Sequence, residues 1–112
     1  MQSTCFYMKI KPEGIDGYRE IHKKGKTWPE IIENIKNAGF EKMKIYMLEN
    51  YAICYIEAEN IEKAFEYLGK QAGTAEWNAA TAEFMDTQPD YDSDEVVKYL
   101  ECVFDFEHGE QK

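Results

Sequence analysis

The sequence predicts an α+β domain in which helices cover one face of a four-stranded antiparallel sheet. Two observations predict this fold class. Four runs either alternate in side-chain character with a period of two or have the residue composition of half-buried strands. The segments between them repeat their apolar residues every three or four positions, as helices do. These elements follow one another as strand, helices, strand, strand, helices, strand, without an internal repeat.

Length and charge narrow the class of protein. The chain has 112 residues, which predicts a single domain spanning residues 1–112. It carries 13 Lys and Arg against 22 Asp and Glu, a net charge of −9. This balance argues against a nucleic acid partner and favours a neutral small molecule or a cation. No apolar run is long enough for a membrane span and no signal peptide opens the chain, so we expect a cytoplasmic protein with no membrane partner.

The first strand is predicted over residues 4–11 and ends at Pro12, which cannot donate to a sheet ladder. A first helix is predicted over residues 15–24 and closes near Gly25. Its apolar face consists of residues spaced three or four apart, namely Ile15, Tyr18, Ile21 and His22. Tyr18 and His22 are therefore expected to project from the same side of this helix.

A second helix is predicted to begin at Thr27, because Thr27 and Glu30 form a T-x-x-E capping box. Pro29 falls in the first turn, where its missing N–H costs nothing, and Gly39 is predicted to end the helix. The apolar face of this helix is formed by Trp28, Ile31, Ile32 and Ile35.

Residues 42–48 and 51–57 are predicted to pair as a hairpin through a turn at Glu49-Asn50. Neither face is purely polar, since one holds Met43, Ile45 and Met47 and the other Lys44, Tyr46 and Leu48. A sheet with two partly apolar faces needs a cover on each. The rest of the chain is assigned in order to a third helix around 61–68 ending at Gly69, a fourth helix at 74–85, an exposed acidic loop at 86–95, a final strand at 96–106 and a frayed tail at 108–112.

This order of elements is the split βαβ pattern of ferredoxin-like domains, in which helices cover one sheet face. The other face is too apolar for water, so we predict that two copies pack through their sheets as a homodimeric α/β-barrel, with a pocket between sheet and helices. Cys5, Cys54 and Cys102 lie far apart in apolar segments and are predicted to be buried free thiols.

His22 is a candidate general acid/base, because an imidazole gives and takes protons near neutrality. The alternative is a helix-face histidine bonded to a neighbour. Tyr18, one turn earlier, would hold a substrate hydroxyl or fill the core. Trp28 and Trp77 would stack on a sugar or another ring, or pack in the core. Tyr46 on the hairpin is likewise a substrate contact or a packing residue.

Common catalytic motifs are missing: there is no GxSxG, HExxH, P-loop, GxGxxG or CxxC. The chain therefore lacks the residues that usually carry hydrolase, metalloprotease, nucleotide-binding and redox functions. Glu101, Asp105 and the acidic segment 86–95 are candidate carboxylate partners for His22, or else a solvated surface.

The chain contains, in order, CFYMKIKP, Tyr18, His22, the triplet Trp28-Pro29-Glu30, Ile45-Tyr46, Trp77 and Val103-Phe104. Together these segments resemble the L-rhamnose mutarotase family over nearly the whole chain, with Y-x-x-x-H followed by WPE as the most specific part. The resemblance implies a cofactor-free enzyme that interconverts the α and β anomers of a 6-deoxy-L-hexose. It also implies a ferredoxin-like α/β-barrel homodimer.

By position, the resemblance implies that His22 is the catalytic proton donor and that Tyr18 binds substrate. Trp77 matches the first of two consecutive tryptophans that contact sugar, and Asn78 replaces the second. Met43 replaces a strand tyrosine that also contacts substrate. These replacements concern the identity of the sugar, and the segment 43–46 with Trp77 looks more like the branch assigned to L-fucose, so L-rhamnose and L-fucose both remain open.

Mutarotation requires one proton delivered to the ring oxygen and one removed from the anomeric hydroxyl, and reclosure reverses both transfers. The reaction also occurs unaided in water, so it demands neither a metal nor a covalent nucleophile, and no cofactor is expected. Tyr18 would orient a hydroxyl, Trp77 would stack on the ring and Met43 would accept the C6 methyl. Two other classes compete: a cofactor-independent oxygenase of the same barrel fold, and a non-catalytic binding module in which His22 is structural.

Overall fold

An antiparallel sheet forms the frame of the protein, and its strands lie side by side in the order Phe40–Leu48, Tyr51–Ala58, Gln2–Lys9 and Lys98–Tyr99. The computed structural model describes residues 1–86 and 98–112. The elements are β1 (Gln2–Lys9), a 3-10 turn (Pro12–Gly14), α1 (Ile15–Ile21), α2 (Pro29–Ala38), β2 (Phe40–Leu48), β3 (Tyr51–Ala58), α3 (Ile61–Lys70), α4 (Thr74–Ala82), β4 (Lys98–Tyr99), β5 (Phe106–Glu107) and β6 (Glu110–Gln111). The predicted α+β class and ferredoxin-like strand order are confirmed.

The central strand β3 separates two unlike faces of the sheet. Its side chains alternate between buried and half-buried along its whole length. The helix-covered face holds Ala52, Cys54 and Ile56, with Met47, Ile45 and Met43 of β2 directly opposite them. The opposite side, called here the open face, consists of Ser3, Cys5, Tyr7 and Lys9 of β1, Lys42, Lys44, Tyr46 and Leu48 of β2, Tyr51, Ile53, Tyr55 and Glu57 of β3, and Lys98 of β4. The predicted division of the hairpin into two partly apolar faces is therefore confirmed.

Two groups of buried residues fill the space between sheet and helices. The first core cluster is Ile10, Tyr18, Ala52 and Met85, and the second is Phe6, Cys54 and Ile56. The first fastens α1, which carries Tyr18, onto the sheet. The second fastens α3, whose Ile61 and Phe65 pack against it.

Close packing against α1 depends on two glycines. The ring of Phe84 lies in contact with the position that a Cβ would take on Gly17. A Cβ on Gly14 would lie 2.9 Å from the Phe84 carbonyl oxygen. Ile10 and Met85 form a β-bridge beside this contact, so the chain after α4 runs tightly along the start of α1.

The ends of α1 and α2 differ from the expectation. α1 ends at Ile21 and His22 is its C-cap, so the helix is shorter than residues 15–24. α2 begins at Pro29 with Trp28 as N-cap, and no side chain caps it. The predicted capping box is wrong because the Thr27 hydroxyl instead donates to the Ile21 carbonyl at 3.0 Å. The predicted end of α2 is confirmed, since Gly39 takes the left-handed conformation with φ 95°.

α3 runs one residue beyond the predicted stop at Gly69 and ends at Lys70. Its first turn is capped by Asn60, whose side-chain oxygen accepts a hydrogen bond from the Lys63 amide at 2.9 Å. α4 is shorter than predicted and ends at Ala82.

The predicted final strand is wrong over most of its length. Only Lys98–Tyr99 pairs with β1, and residues 100–105 form no strand. Apolar and polar residues alternate along this segment, but it pairs with no strand among the described residues. Val103 and Phe104 are 84% and 66% exposed. Cys102 is exposed too, so the prediction of a buried thiol is confirmed for Cys54 and wrong for Cys102, while Cys5 is half-buried.

The expected frayed tail is instead a short hairpin. β5 and β6 pair around a turn at His108 and Gly109, both with positive φ. Residues 87–95 of the predicted acidic loop lie outside the described residues, and so do residues 96 and 97 of the predicted final strand. Within residues 1–86 and 98–112, no helix is both long and apolar enough to span a membrane.

Candidate active site

Four aromatic side chains from three parts of the chain meet on the helix side of the sheet. Ring centroids of Tyr18 and His22 are 4.3 Å apart, those of His22 and Trp77 5.7 Å, and those of Trp77 and Trp28 5.1 Å. We call these four residues the aromatic cluster. The predicted candidates Tyr18, His22, Trp28 and Trp77 are thus brought together by the fold.

One turn of α1 sets the relation between Tyr18 and His22. Residues four apart on a helix face the same side, so the two rings come into contact as the spacing predicts. Tyr18 is 4% exposed and belongs to the first core cluster. Its ring thus has both the packing role and the contact with His22, and it ties the histidine to a rigid part of the molecule.

The imidazole of His22 is oriented by a main-chain hydrogen bond. Its Nδ1 lies 2.6 Å from the carbonyl oxygen of Tyr18. A carbonyl oxygen only accepts, so Nδ1 must carry the hydrogen and donate it. In the neutral ring Nε2 then holds the lone pair and is the nitrogen that can take up a proton.

Burial favours the neutral form of this histidine. It lowers the pKa of His22 below the ordinary value of 6.5, and the hydrogen bond to the Tyr18 carbonyl opposes that shift in part. Among the described residues no Asp or Glu forms an ion pair with His22. The expected partners Glu101 and Asp105 are exposed on the C-terminal segment. Near neutral pH, His22 is therefore a neutral base.

The two tryptophans come from the starts of two different helices. Trp28 is the N-cap of α2 and is 38% exposed, so it forms the solvent side of the cluster. Trp77 lies in the first turn of α4 and is half-buried, with its amide donating to the Gly73 carbonyl at 2.8 Å. Their edge-to-face contact shows that the two indoles pack on each other.

Of the remaining predicted site residues, the structure separates Met43 and Tyr46 from the cluster. Met43 is on the helix-covered face but packs on the second core cluster. Tyr46 projects from the open face, on the other side of the sheet from Tyr18, and is 57% exposed. Asn78 follows Trp77 on α4 and is half-buried, and its carbonyl accepts the Thr81 hydroxyl at 3.1 Å. Their roles in substrate binding stay predictions.

One residue near the cluster was not predicted as part of the site. The predicted capping box gives Glu30 a structural role only, but its carboxylate lies against Gly73 at the start of α4. The signal available in the sequence was the adjacency of Glu30 to Trp28 and the glycine four residues before Trp77. No group of three His, Cys, Asp or Glu that could hold a metal ion occurs within the described part of the chain.

Comparison with known proteins adds the family. A family model described as L-rhamnose mutarotase matches residues 3–106. The L-rhamnose mutarotase of Pectobacterium carotovorum subsp. carotovorum (strain PC1) is 28% identical over 93% of this chain and 97% of its own length. That of Shouchella clausii (strain KSM-K16) is 31% identical over 74% of this chain and 79% of its own.

A solved structure has the same fold. The crystal structure of an L-rhamnose mutarotase from Formosa agariphila superposes with a TM-score of 0.75 at 23% identity, covering 96% of this chain and all of that one. The family match confirms the predicted enzyme class, a carbohydrate isomerase that acts on anomers, and favours neither the oxygenase nor the binding-module alternative. The chain belongs to the L-rhamnose mutarotase family.

Proposed function

We propose that this protein interconverts the α and β anomers of L-rhamnose and that His22 is its acid/base. One observation carries the proposal: the bond from Nδ1 to the Tyr18 carbonyl leaves Nε2 as the nitrogen that can accept a proton, on a ring that packs against Trp77. L-rhamnose is the sugar for which the relatives are named. An aromatic wall next to a neutral base suits a substrate with apolar C–H faces and an exchangeable hydroxyl.

The proposed reaction breaks and re-forms the bond between C1 and the ring oxygen, and beyond that it needs only proton transfers and one bond rotation. Nε2 of His22 takes the proton of the anomeric hydroxyl while the bond from C1 to the ring oxygen breaks and that oxygen receives a proton from a hydroxyl or water. Rotation about C1–C2 then presents the other face of the aldehyde. As the ring closes, the ring oxygen loses its proton and the imidazolium returns one to the new anomeric oxygen. One histidine thus acts as acceptor in opening and as the implied proton donor in closing.

The neighbouring rings are proposed to hold the sugar. Trp77 lies beside the imidazole, so a pyranose stacked on it would have C1 within reach of Nε2. Trp28, whose indole packs edge to face on that of Trp77, is proposed to limit the access of water on that side. Tyr18 is proposed to orient a sugar hydroxyl. Met43 and Asn78 remain candidates for selecting between sugars that differ at single ring positions.

Exchange NMR of the two anomers tests the function and the substrate together. Because mutarotation also proceeds in buffer, rates are compared with and without protein, on L-rhamnose and on L-fucose. The proposal expects the larger acceleration on L-rhamnose. A larger acceleration on L-fucose would make that sugar the proposed substrate. The sequence feature in its favour is the replacement of two sugar-contacting residues by Met43 and Asn78. If neither rate rises above that of buffer, the mutarotase assignment fails.

We further propose a homodimer formed through the open face. Tyr46 and Leu48 are 57% and 59% exposed there, and Tyr7 and Tyr51 stack edge to face beside them. Contiguous apolar surface of this kind is typical of interfaces. Tyr46 would then contact the second copy.

Light scattering tests the dimer. Leu48→Lys places a charge in the proposed interface and should yield monomers. Ile32→Lys is the matched control, because Ile32 is 54% exposed on α2, away from the open face. A monomeric wild type, or equal dissociation by both variants, would contradict this interface.

A further inference from the structure

Glu30 occupies the space above the glycine that begins α4. It lies in the first turn of α2, two residues after Trp28. A Cβ built on Gly73 would be 2.5 Å from the carboxyl carbon of Glu30 and 2.7 Å from each of its oxygens. The carboxylate is therefore seated directly on the main chain at position 73, in the place that any side chain there would fill.

The start of α4 lacks a cap of its own. Gly73 is the N-cap, at φ 88°, and no side chain caps the helix. The next hydroxyl, that of Thr74, donates instead to the Leu68 carbonyl at 2.8 Å. The amides of a first helical turn carry partial positive charge, so a carboxylate at this end is favourable. Glu76 of α4 lies in this first turn, and the carboxylate of Glu30 reaches the same helix start from α2.

A second contact from the same side of α2 holds this junction. The side-chain amide of Asn34, one turn after Glu30, donates to the Ala72 carbonyl at 3.0 Å. Residues four apart on a helix face the same way, so Glu30 and Asn34 contact the neighbouring residues Gly73 and Ala72 from one side of α2. The beginning of α4 is thereby placed by α2.

The same junction carries both tryptophans of the aromatic cluster. Trp28 immediately precedes α2, and the Trp77 amide bonds to the carbonyl of Gly73. Any shift between the start of α2 and the start of α4 moves Trp77 relative to Trp28 and to His22. We propose that Glu30 is a positioning residue that sets the place of Trp77 in the site through Gly73. Its effect on turnover rests on the proposed function, whereas its effect on the indole pair does not.

Circular dichroism reads the indole pair directly. The chain has 2 tryptophans, and both belong to the cluster. Two indoles in contact couple their transitions and give far-UV bands of opposite sign whose amplitude depends on distance and angle. Glu30→Gln, which keeps the shape and removes the charge, should reduce this couplet, and Glu30→Ala should abolish it. Both should lower kcat/KM for anomer exchange by about tenfold to hundredfold, the effect of misplacing a contact group.

Matched controls separate this role from general effects. Glu76→Gln removes an acid from the same first turn without touching Gly73, and it should leave couplet and rate as in wild type. Gly73→Ala should reduce both more than Gly39→Ala, since both glycines have positive φ, 88° and 95°, but only Gly73 lies under a side chain. Urea unfolding verifies that each variant is folded.

Two results would overturn the proposal: a folded Glu30→Ala with the couplet of wild type, or a loss in Glu76→Gln equal to that in Glu30→Gln. If wild type fails to exchange either sugar while Glu30→Ala still loses its couplet, the proposed function fails and the positioning role stands.

Discussion

The imidazole of His22 is joined to the main-chain carbonyl of Tyr18 by a hydrogen bond of 2.6 Å that spans one turn of α1. Like the carboxylate beside the histidine in many acid/base pairs, this hydrogen bond selects the tautomer and fixes the plane of the imidazole ring. It adds no charge, and burial of the ring favours the neutral imidazole near neutral pH. A weak base of this kind would suit the proposed reaction, in which a proton is taken up and then returned.

Replacement of His22 should remove most of the catalysed reaction. His22→Ala and His22→Gln are expected to slow enzyme-dependent anomer exchange by about 10²–10⁴-fold, the usual contribution of a general acid/base. Glutamine keeps a polar side chain but cannot take up a proton. The control is His108→Ala, because His108 lies in the turn between β5 and β6. Exchange NMR on the three variants measures this, and a His22 variant as fast as wild type would remove the histidine from the mechanism.

The pH dependence follows from the lowered pKa of His22. Only the neutral ring accepts a proton, so kcat/KM should be level above about pH 6.5 and fall as pH drops through the lower pKa of the folded protein. Because that pKa lies below the unfolded value, stability from keeping the ring neutral is present above the unfolded pKa and is lost as pH falls through the folded one. Rate profiles corrected for buffer, and NMR titration of the imidazole, test both statements; a pKa above 6.5 would contradict them.

Gly17→Ala should destabilise the protein. The new methyl would overlap the Phe84 ring, which packs on α1, and forced overpacking costs about 1–3 kcal/mol. Gly69→Ala is the counterpart, since Gly69 lies in α3 with nothing within 4 Å of its Cβ position. It should stabilise by about 0.4–1 kcal/mol by restricting the unfolded chain. The free energy of unfolding of both variants, measured in urea, tests this prediction. Equal changes in the two variants would mean that the Phe84 contact does not constrain α1.

The three thiols should react in a fixed order with iodoacetamide at mildly alkaline pH. Burial raises the pKa of Cys54 to about 12, with the nearby Cys5 adding to the shift, so its thiolate is scarce as well as inaccessible. Burial also raises the pKa of Cys5. Cys102, which is exposed, should be alkylated first and Cys54 only on unfolding. Peptide mass spectrometry over time measures the order, and early labelling of Cys54 would contradict the packing of β3.

Much of the fold could be predicted because its signals are local. The turn after Leu48, the stop of α2 at Gly39 and the alternation along β3 each depend on residues close in the chain. The C-terminal strand failed for the opposite reason. Its alternation is as good as that of β1, but a strand exists only where another strand offers free main-chain groups, and only Lys98–Tyr99 finds them.

The candidate site divides in the same way. The spacing of Tyr18 and His22 places both rings on one side of α1, because helical geometry alone brings residues four apart together. No spacing could place Trp77 beside His22, or Glu30 on Gly73, since these pairs are far apart in the chain and meet only where α1, α2 and α4 pack over one sheet. The same holds for Tyr46, whose side of the sheet follows from strand register and not from its neighbours in sequence. Local geometry thus accounts for the pairing of Tyr18 with His22 and for the orientation of the imidazole, and long-range packing for the aromatic side chains around it.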